Sequence, residues 1–434
     1  MKKILAGILG VCLAVMFLAC KSAGSAQQEE NPEEEIPEDV IATPILLFAE
    51  IQDIFPGVAH VFLVRKSDNT LWGCGYNRSG QLGIGEYRSP EGDRYPRHFV
   101  PIGDEGSTGT GITNVKAMAL GENHTLLLKN DGTLWVTGEN KFGELGMGAS
   151  VEKVTVFTQV MVPGSEGTPV TGVVEIAAGH DSSYFIKNDG TLWAAGYNHY
   201  GQLGLGTNED KHDVFTQVSS AGTDVVAVAS GARHTVILKR DGTLWATGAN
   251  HLYGQLGLGD DKDYNVFTKV ETAGANIKAV GVGDYHTAIL KNDNTLWVAG
   301  YNEMGQLGLG DRNNRNTFVQ SRTDNLGSIV ICGNNTTILK NNGTLWVVGD
   351  NTFGQLGQGT AGAHHSTDSF IEVKNKAAGK LKIKKVNAGS RSMYILMEDG
   401  GLWGVGSNRY GQLNSGYEDT DVSNVKLLLP QDTK

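Results

Sequence analysis

Cysteine, proline and basic residues are scarce in this sequence of 434 residues. It has four cysteines and 10 prolines, and its 36 Lys and Arg are outnumbered by 47 Asp and Glu, which gives a formal net charge of −11. The 59 glycines are about double the usual share. Abundant glycine without proline or a Gly-X-Y period excludes collagen and indicates many tight turns. The acidic charge offers no general attraction to nucleic acid, so we expect no nucleic-acid partner.

Patterns typical of enzymes, metal sites and cofactor sites are also missing. The stretch His180–Ser183 contains the residue types of a catalytic triad, but neighbours in sequence point in different directions, and a triad needs a defined geometry. The pair His364-His365 lacks further ligands at metal-binding spacing. No helical pattern follows the recurring Gly-Gln-Leu-Gly-x-Gly string, which is therefore unlike a phosphate-binding loop. We expect no catalytic residues, no metal, no cofactor and a protein that is not an enzyme.

The N-terminus has the features of an export signal. Lys2 and Lys3 precede the uncharged, mostly apolar run Ile4–Phe17, and Cys20 follows shortly after. This arrangement resembles a bacterial lipoprotein signal, in which the cysteine is acylated and becomes the new N-terminus. The run is shorter than the ~20 residues that a transmembrane helix needs. The sequence predicts a signal peptide over residues 1–19 and lipidation at Cys20, with ordinary signal cleavage beside an unmodified cysteine as the alternative.

Residues 20–43 are polar and acidic, with the run Glu29–Glu35 at their centre and no aromatic residue. Such a segment has too little apolar surface to fold, so we expect a solvated tether. It would hold the folded part away from a membrane. We therefore expect a protein exported to the bacterial cell envelope and anchored through acylated Cys20 to the outer membrane or cell surface.

The rest of the chain is a repeat. All seven tryptophans follow a leucine, about 50 to 60 residues apart, at Trp72, Trp135, Trp193, Trp245, Trp297, Trp346 and Trp403. Each follows a turn such as Arg240–Gly242 and precedes a copy of Gly-Gln-Leu-Gly-x-Gly. Within the fourth repeat the pattern indicates strands over 224–229, 234–239, 243–247 and 267–270. Four short strands in each of seven repeats predict an all-β, seven-bladed propeller with antiparallel blades.

These strings resemble the RCC1 (regulator of chromosome condensation) repeat family over Ile45–Leu429, most clearly in the stretch Gly231–Gly259. The resemblance implies a single seven-bladed propeller domain, which we place at residues 44–430. The last blade is expected to close the ring against the N-terminal strand, with the exchanged strands left open. Asn414 stands where the seventh repeat should have glycine.

Two cysteines, Cys74 and Cys332, fall at non-equivalent positions of different repeats. A disulfide between them is possible, but buried free thiols are the simpler expectation.

The repeated Trp, Gly, Asn and Gln residues are assigned structural roles, because seven equal copies are what packing demands. The histidines His124, His234 and His286 recur at one repeat position and are expected to be hydrogen-bonding core residues rather than metal ligands.

Binding is better sought where the repeats differ. One variable set follows a repeat glycine, and the resemblance implies that its loops gather at one mouth of the central channel. This candidate binding rim consists of Asn123, Asp181, Arg233, Tyr285, Asn334 and Arg391. The alternative is a ring of solvated loops without a partner.

A second set precedes the Gly-Gln-Leu-Gly string and is mostly aromatic. This candidate aromatic rim consists of Phe142, Tyr200, Tyr253, Phe353 and Tyr410, with Met304 in the fifth repeat and Ser79 in the first. Such residues suit protein or sugar binding, and the alternative is that they are wedges between blades.

The leading functional hypothesis is a monomeric, extracytoplasmic protein-interaction module. The resemblance includes secreted bacterial propellers that bind and inhibit an enzyme, so an unidentified protein partner is expected. A carbohydrate-binding propeller that uses the aromatic rim is one alternative. Guanine-nucleotide exchange on a small GTPase, the activity of the family's name-giving member, is another, although export would separate the chain from such partners. Plant ultraviolet receptors of the family need tryptophan where Asn123, Arg233 and Tyr285 stand, so photoreception is not indicated.

Overall fold

The computed structural model describes residues 51–88, 92–103, 111–165, 167–323, 325–373, 382–414 and 421–428. The predicted signal peptide 1–19, Cys20 and the acidic tether 20–43 lie outside these ranges, as do both ends of the predicted 44–430 domain. Among the described residues, no helix combines the length and apolar character needed to cross a membrane.

The described strands form seven four-stranded antiparallel sheets. Each sheet takes four strands that are consecutive in the chain, so blade 1 holds β1–β4 and blade 7 holds β25–β28. Three short 3₁₀ turns, Ser219–Ala221, Glu271–Ala273 and Ala363–His365, are the helical elements in these ranges. The predicted all-β, seven-bladed propeller is confirmed.

Each blade is ordered from the central axis outward. The innermost strands, which pack on one another around the axis, are β1 (Ile51–Pro56), β5 (Val115–Leu120), β9 (Val173–Ala178), β13 (Val225–Ser230), β17 (Ile277–Val282), β21 (Leu326–Cys332) and β25 (Ile383–Gly389). The second strands are β2 (His60–Arg65), β6 (His124–Lys129), β10 (Ser182–Lys187), β14 (His234–Lys239), β18 (His286–Lys291), β22 (Asn335–Lys340) and β26 (Ser392–Met397). The third strands are β3 (Leu71–Gly75), β7 (Leu134–Glu139), β11 (Leu192–Tyr197), β15 (Leu244–Gly248), β19 (Leu296–Gly300), β23 (Leu345–Gly349) and β27 (Leu402–Gly406). The outermost strands are β4 (Val100–Pro101), β8 (Lys153–Gln159), β12 (Lys211–Gln217), β16 (Tyr264–Lys269), β20 (Arg315–Arg322), β24 (Thr367–Glu372) and β28 (Val422–Leu427).

The Asp-Gly-Thr-Leu-Trp string closes the hairpin between the second and third strands. In blade 2, Asp131 accepts hydrogen bonds from the backbone N–H and the hydroxyl of Thr133 at 2.9 and 2.7 Å, and Gly132 has a φ of 80°. The Thr133 hydroxyl accepts a hydrogen bond from Nε1 of Trp135 at 3.0 Å. Lys129 Nζ lies 4.1 Å from the centre of that tryptophan ring. A short local sequence therefore sets both the turn and the direction of the tryptophan.

Each tryptophan packs on the core between its own blade and the preceding one. Trp135 of blade 2 packs against the cluster that contains Phe62 and Leu82 of blade 1. In the same way, Trp72 of blade 1 packs against the cluster that contains Tyr394 of blade 7. The predicted role of the tryptophans in blade-to-blade packing is confirmed.

The Asn-x-x-Gly-Gln-Leu-Gly string builds the loop between the third and fourth strands. In blade 3, Asn198 Oδ1 accepts the N–H of the leucine five positions later at 3.0 Å, and Gln202 Oε1 accepts the N–H of Tyr200 at 3.1 Å. Gly204 has a φ of 71°, and a Cβ there would lie 2.7 Å from the ring of Phe267 in blade 4. These Asn, Gln and Gly residues are structural, as predicted.

Blade 7 closes the ring by packing against blade 1. Lys385 Nζ lies 2.7 Å from Asp53 Oδ1, and the side-chain amide of Asn387 donates to the carbonyl of Ile54. The expected closure of the last blade against the N-terminal strand is confirmed, since β25 and β26 pack on β1, and no described strand joins the sheet of another blade. An apolar cluster shared by blades 7 and 1 and these polar contacts hold the ring closed instead.

Both cysteines of the propeller are free thiols, as predicted. Cys74 is buried in the core of blade 1, and Cys332 ends the innermost strand of blade 6. Burial raises the pKa of the Cys332 thiol to about 12, so it is protonated at neutral pH.

Candidate binding face

Two sets of loops meet at one end of the propeller because adjacent antiparallel strands alternate in direction. The inner loops join the first and second strands and comprise residues 57–59, 121–123, 179–181, 231–233, 283–285, 333–334 and 390–391. The outer loops join the third and fourth strands and comprise the described residues within 76–99, 140–152, 198–210, 249–263, 301–314, 350–366 and 407–421. Together they form a surface that we call the loop face. The two predicted rims lie on these two sets of loops.

Backbone hydrogen bonds join the inner loops of blades 2 to 6 in the ring of loops around the channel. The N–H of Glu122 donates to the carbonyl of His180 at 3.0 Å. The N–H of Ala232 donates to the carbonyl of Asp284 at 3.1 Å, and the N–H of Asp284 donates to the carbonyl of Gly333 at 2.8 Å. A small cavity of about 70 Å³ lies inside this ring. The inner loops are thus held by their neighbours and present a fixed surface.

One histidine side chain contacts the inner loop of a blade that does not adjoin its own. His180 Nε2 of blade 3 lies 3.1 Å from Asp284 Oδ1 of blade 5, and its Nδ1 lies 3.9 Å from Glu122 of blade 2. Burial lowers the pKa of His180, but the hydrogen bond to Asp284 and the nearby carboxylates raise it above the usual value overall. Burial and Glu122 likewise raise the pKa of the candidate rim residue Asp181.

Under the inner loops, histidines link neighbouring blades. In blade 1, His60 Nε2 lies 3.0 Å from the hydroxyl of Thr125 in blade 2, and that hydroxyl donates to the carbonyl of Gln81 at 2.8 Å. Since the only hydroxyl proton of Thr125 is used, His60 donates from Nε2. Burial lowers the pKa of this group of histidines to about 3 in His60, His124 and His234 and about 4 in His286. The predicted hydrogen-bonding core role of His124, His234 and His286 is confirmed by their bonds to the next blade.

Residues of the two predicted rims are in direct contact. An aromatic side chain of one blade lies against an inner-loop side chain of the next blade in three pairs: Tyr200 with Arg233 at 4.8 Å, Tyr253 with Tyr285 at 5.4 Å, and Phe353 with Arg391 at 5.3 Å. All five aromatic-rim residues are half-buried. They therefore act both as wedges between loops and as part of the surface, so the two alternatives weighed for them are not exclusive.

Two residues of the candidate binding rim accept a hydrogen bond from a glutamine of the preceding blade. The side-chain amide of Gln81 donates to Asn123 Oδ1 at 3.5 Å, and that of Gln306 donates to Asn334 Oδ1 at the same distance. These long bonds connect an outer loop to the inner loop of the next blade. Asn123 and Asn334 thus help to position the loops. The side chains of Arg233, Tyr285 and Arg391 instead lie against an aromatic ring of the preceding blade.

Sequence reasoning missed several aromatic residues of the loop face. Tyr410 lies 4.9 Å from Tyr76 and 5.5 Å from Tyr95 between ring centres, which places a tyrosine cluster where blades 7 and 1 meet. Phe142 of blade 2 likewise lies 5.0 Å from Tyr197 of blade 3 between ring centres. A signal was present, because a Gly-Tyr-Asn string opens the outer loops of blades 1, 3 and 5.

Charge is unevenly spread over the loop face. Carboxylates gather on blades 2 and 3, where burial and the neighbouring carboxylates of Glu122 and Glu139 raise the pKa of Asp181. Two guanidinium groups lie on blade 7, where Arg391 and Arg409 are 5.3 and 5.0 Å from the ring of Phe353. Such a division orients a charged partner before contact.

The triad residue types in His180–Ser183 do not assemble. His180 faces Asp284, whereas the hydroxyl of Ser183 bonds to His124 in the core. His364 and His365 sit on an exposed 3₁₀ turn. Among the described residues, no group of three or more His, Cys, Asp or Glu side chains is arranged to hold a metal ion.

Family models match most of the chain. The RCC1-like domain matches residues 15–324, and the regulator of chromosome condensation (RCC1) repeat matches residues 383–412. Among curated relatives, the ultraviolet-B receptor UVR8 of Arabidopsis thaliana is 29% identical over 274 residues, which cover 63% of this chain and 58% of the receptor. The X-linked retinitis pigmentosa GTPase regulator homolog of Caenorhabditis elegans is 32% identical over 189 residues, covering 43% and 13%. The chain thus spans 58% or less of these relatives.

Solved structures agree on the fold. Human WBSCR16 has a TM-score of 0.66 at 22% identity, with 80% of this chain and 86% of that chain covered. Yeast RCC1 (Prp20), solved with Kap60 bound, has a TM-score of 0.66 at 19% identity, with 96% and 92% covered.

Proposed function

The chain belongs to the RCC1-like domain family, and from that premise we propose that it is an extracytoplasmic, lipid-anchored module that binds another protein through its loop face. It acts as a monomeric binder and not as an enzyme. One observation carries the proposal: two sets of residues from different loops converge on the same face, in aromatic–arginine and aromatic–aromatic pairs.

The composition of these pairs favours a protein partner. Tyr, Phe and Arg are the residues enriched in the buried centres of protein interfaces and in their hot spots. Arg233 and Arg391 rest on the rings of Tyr200 and Phe353, so little side-chain freedom remains to be lost on binding. Their guanidinium groups have no ion pair with a described acid, which leaves them available to a partner's carboxylates.

The similar yeast protein supports a binding role, because its structure contains a second protein, Kap60. The loop face is also mechanically suited to binding. Backbone hydrogen bonds between inner loops and the bridge from His180 to Asp284 hold the surface before a partner arrives.

Anchoring is supported by the sequence of the first 20 residues, with Lys2, Lys3, the apolar run and Cys20. Mass spectrometry of the full chain from its native membrane fraction tests it. We expect an N-terminal acylated Cys20, and a Cys20→Ser variant that leaves the membrane fraction. A chain that retains residues 1–19, or an unmodified Cys20, would overturn the anchoring part of the proposal.

The proposed protein binding is tested by reversing the charge of two arginines on the loop face. The double variant Arg233→Glu, Arg391→Glu is compared with Arg240→Glu, Lys278→Glu, whose residues are exposed and lie away from the loop face. After cross-linking in the native envelope, we expect one co-purifying protein that is lost from the first variant and kept by the second. Equal recovery with both variants would place the contact elsewhere and reject the loop face.

A carbohydrate ligand is the second candidate, and a specific cluster favours it. Tyr253 lies 4.7 Å from Tyr301 and 5.4 Å from Tyr285, so three half-buried rings form a shelf of the kind that sugars stack on. A soluble-glycan screen distinguishes the two ideas. Saturable glycan binding that Tyr253→Ala abolishes, with no cross-linked protein, would favour the sugar.

A further inference from the structure

Blade 1 breaks the symmetry of the loop face. Its outer loop runs from Tyr76 to Phe99, whereas the outer loop of blade 2 runs from 140 to 152. The added length carries Arg88 and Arg94. Seven equal repeats need no such extension for packing, so this loop is a place to look for a separate role.

The extended loop and the edge of blade 2 enclose a basic cavity. It has a volume of about 170 Å³ and is lined by the exposed side chains of Arg78, Arg88 and Arg94 from the loop and Lys153 from β8, with Glu86 as the one acidic residue of the described lining. Gly85 lines the cavity, and a Cβ at that position would meet no atom within 4 Å, so open space adjoins the backbone there.

The arginines of the cavity have no acidic partner among the described residues. Elsewhere on the same face, Arg97 pairs with Asp93 at 2.9 Å and Arg315 pairs with Asp311 at 2.6 Å. By contrast, the nearest charge contact in the cavity is a 4.0 Å pair between Lys153 and the exposed Glu86. Four cations that converge with one acid repel one another, and a bound anion would relieve that repulsion.

A second cavity continues the first. It has a volume of about 600 Å³, shares Arg78 and Lys153 with the basic cavity, and has a mixed polar lining. That lining includes Ser79, Glu139, Lys141, Glu152 and Lys211. Carboxylates and hydroxyls next to ammonium groups are the partners that sugar hydroxyls use.

We propose that the basic cavity binds a phosphate monoester and that the adjoining cavity holds its sugar. Guanidinium groups present paired N–H donors that match phosphate oxygens, and three of them with a lysine suit a dianion better than a single carboxylate. The ligand is therefore a phosphorylated sugar, either free or as a lipid headgroup. This site uses none of the aromatic pairs of the loop face, so it stands apart from the proposed protein binding.

Calorimetric titration of the full chain at low ionic strength tests the site with glucose 6-phosphate, inorganic phosphate and glucose. We expect glucose 6-phosphate to bind more tightly than inorganic phosphate and glucose to give no signal. Each of Arg88→Gln and Arg94→Gln should weaken glucose 6-phosphate binding at least tenfold. The control Arg240→Gln removes the same charge from an exposed turn away from the loop face and should leave binding unchanged.

Vesicles of phosphatidylcholine with phosphatidylinositol 4-phosphate distinguish the two sources of the phosphate. Vesicle binding that Arg94→Gln abolishes would assign the site to a lipid headgroup, and binding of the free sugar phosphate alone would assign it to a soluble ligand. The absence of saturable binding to every probe, or equal weakening by Arg240→Gln, would overturn the proposal.

Discussion

Beneath the loop face, neighbouring blades meet at a histidine in four seams and at a tyrosine in two, whereas blade 6 has Asn335 at the equivalent position. In the seams of His60, His234 and His286, a hydroxyl of the next blade donates to the carbonyl of the repeated Gln and accepts from the histidine. Between blades 3 and 4 the histidine position holds Ser182, and Tyr184 replaces it. Its hydroxyl donates to the carbonyl of Gln202 at 2.9 Å and accepts from Thr235 at 2.8 Å.

The closing seam between blades 7 and 1 repeats the exchange. Ser392 stands at the histidine position, and the hydroxyl of Tyr394 donates to the carbonyl of Gln412 at 2.8 Å. Here blade 1 offers Val61 where blades 2 to 6 have a hydroxyl, so the hydroxyl donor is Tyr394 of blade 7 itself, and the thiol of Cys74 in blade 1 adds a weaker donor 3.8 Å from the same carbonyl. In these seams the carbonyl of the repeated Gln always receives a hydroxyl donor, and that donor comes from either blade.

The histidine seams should make the protein sensitive to acid, and converting one of them should reduce that sensitivity. The pKa of each seam histidine is about 3 to 4 in the fold and near 6.5 when unfolded. The unfolded chain therefore binds more protons, so stability is full above pH 6.5 and falls as the pH drops toward 4. At pH 5 the loss is about 2 kcal/mol for each histidine.

The variant His234→Ser, Val236→Tyr copies the tyrosine seam of blade 3 into blade 4. Denaturant unfolding at pH 7.5 and pH 5 should show a smaller loss of stability than in the wild type, by about 2 kcal/mol. The two proteins are compared by the stability that each loses between pH 7.5 and pH 5. A packing cost of the new tyrosine that is the same at both pH values therefore cancels. An unchanged pH dependence would mean that the seam histidines are not neutral.

Blade 2 departs from the other blades at another seam position, because Glu144 replaces the repeated glutamine. It is buried, and burial raises its pKa to about 7 from 4.5. The folded chain then binds more protons than the unfolded one, and stability is lost as the pH rises from 4.5 through 7. Glu144→Gln should remove this loss, with a gain of about 3 kcal/mol at pH 8 and less than about 1 kcal/mol at pH 5.

The side-chain amide oxygen of the Glu144→Gln variant would still accept the N–H of Phe142 that the carboxylate accepts at 2.7 Å. Thermal unfolding of both proteins across this pH range measures the difference. A gain that is equal at pH 5 and pH 8 would show that the carboxylate is not the cause.

Removing one hydroxyl tests the tyrosine seam itself. Tyr184→Phe leaves the carbonyl of Gln202 and the hydroxyl of Thr235 without their shared partner, and we expect a loss of about 2 kcal/mol in the free energy of unfolding. Phe142→Leu, at a half-buried ring on the loop face, serves as a matched aromatic change outside the seam. A loss no greater than that of the control would argue that water replaces the hydroxyl.

The repeated strings predicted the blades well because each encodes a local structure. The Asp-Gly-Thr turn and the Asn and Gln loop bonds form within a few residues, so their geometry does not depend on the rest of the chain. The convergence of the two rims was not predicted, since Tyr200 meets Arg233 only through the offset between blades. The tyrosine seams were missed for a related reason: Tyr184 replaces a histidine from two positions away, which hides the equivalence in sequence.

Between the Asn and the Gly of the repeated string, blade 4 has one residue more than blade 3, and this is where we expect the smallest effect. The extra Leu252 has 53% of its surface exposed, and Gln255 Oε1 is buried without a hydrogen-bond partner in the described structure. In blade 3 the equivalent oxygen accepts the N–H of Tyr200. Deleting Leu252 should bring the N–H of Tyr253 to Gln255 and stabilise the fold by about 1 kcal/mol, measured by denaturant unfolding. Leu252→Ser is the control, since it removes the exposed apolar surface but keeps the loop length. An equal gain in stability from both changes would mean that the exposed leucine side chain, and not the unpaired oxygen of Gln255, makes the insertion destabilising.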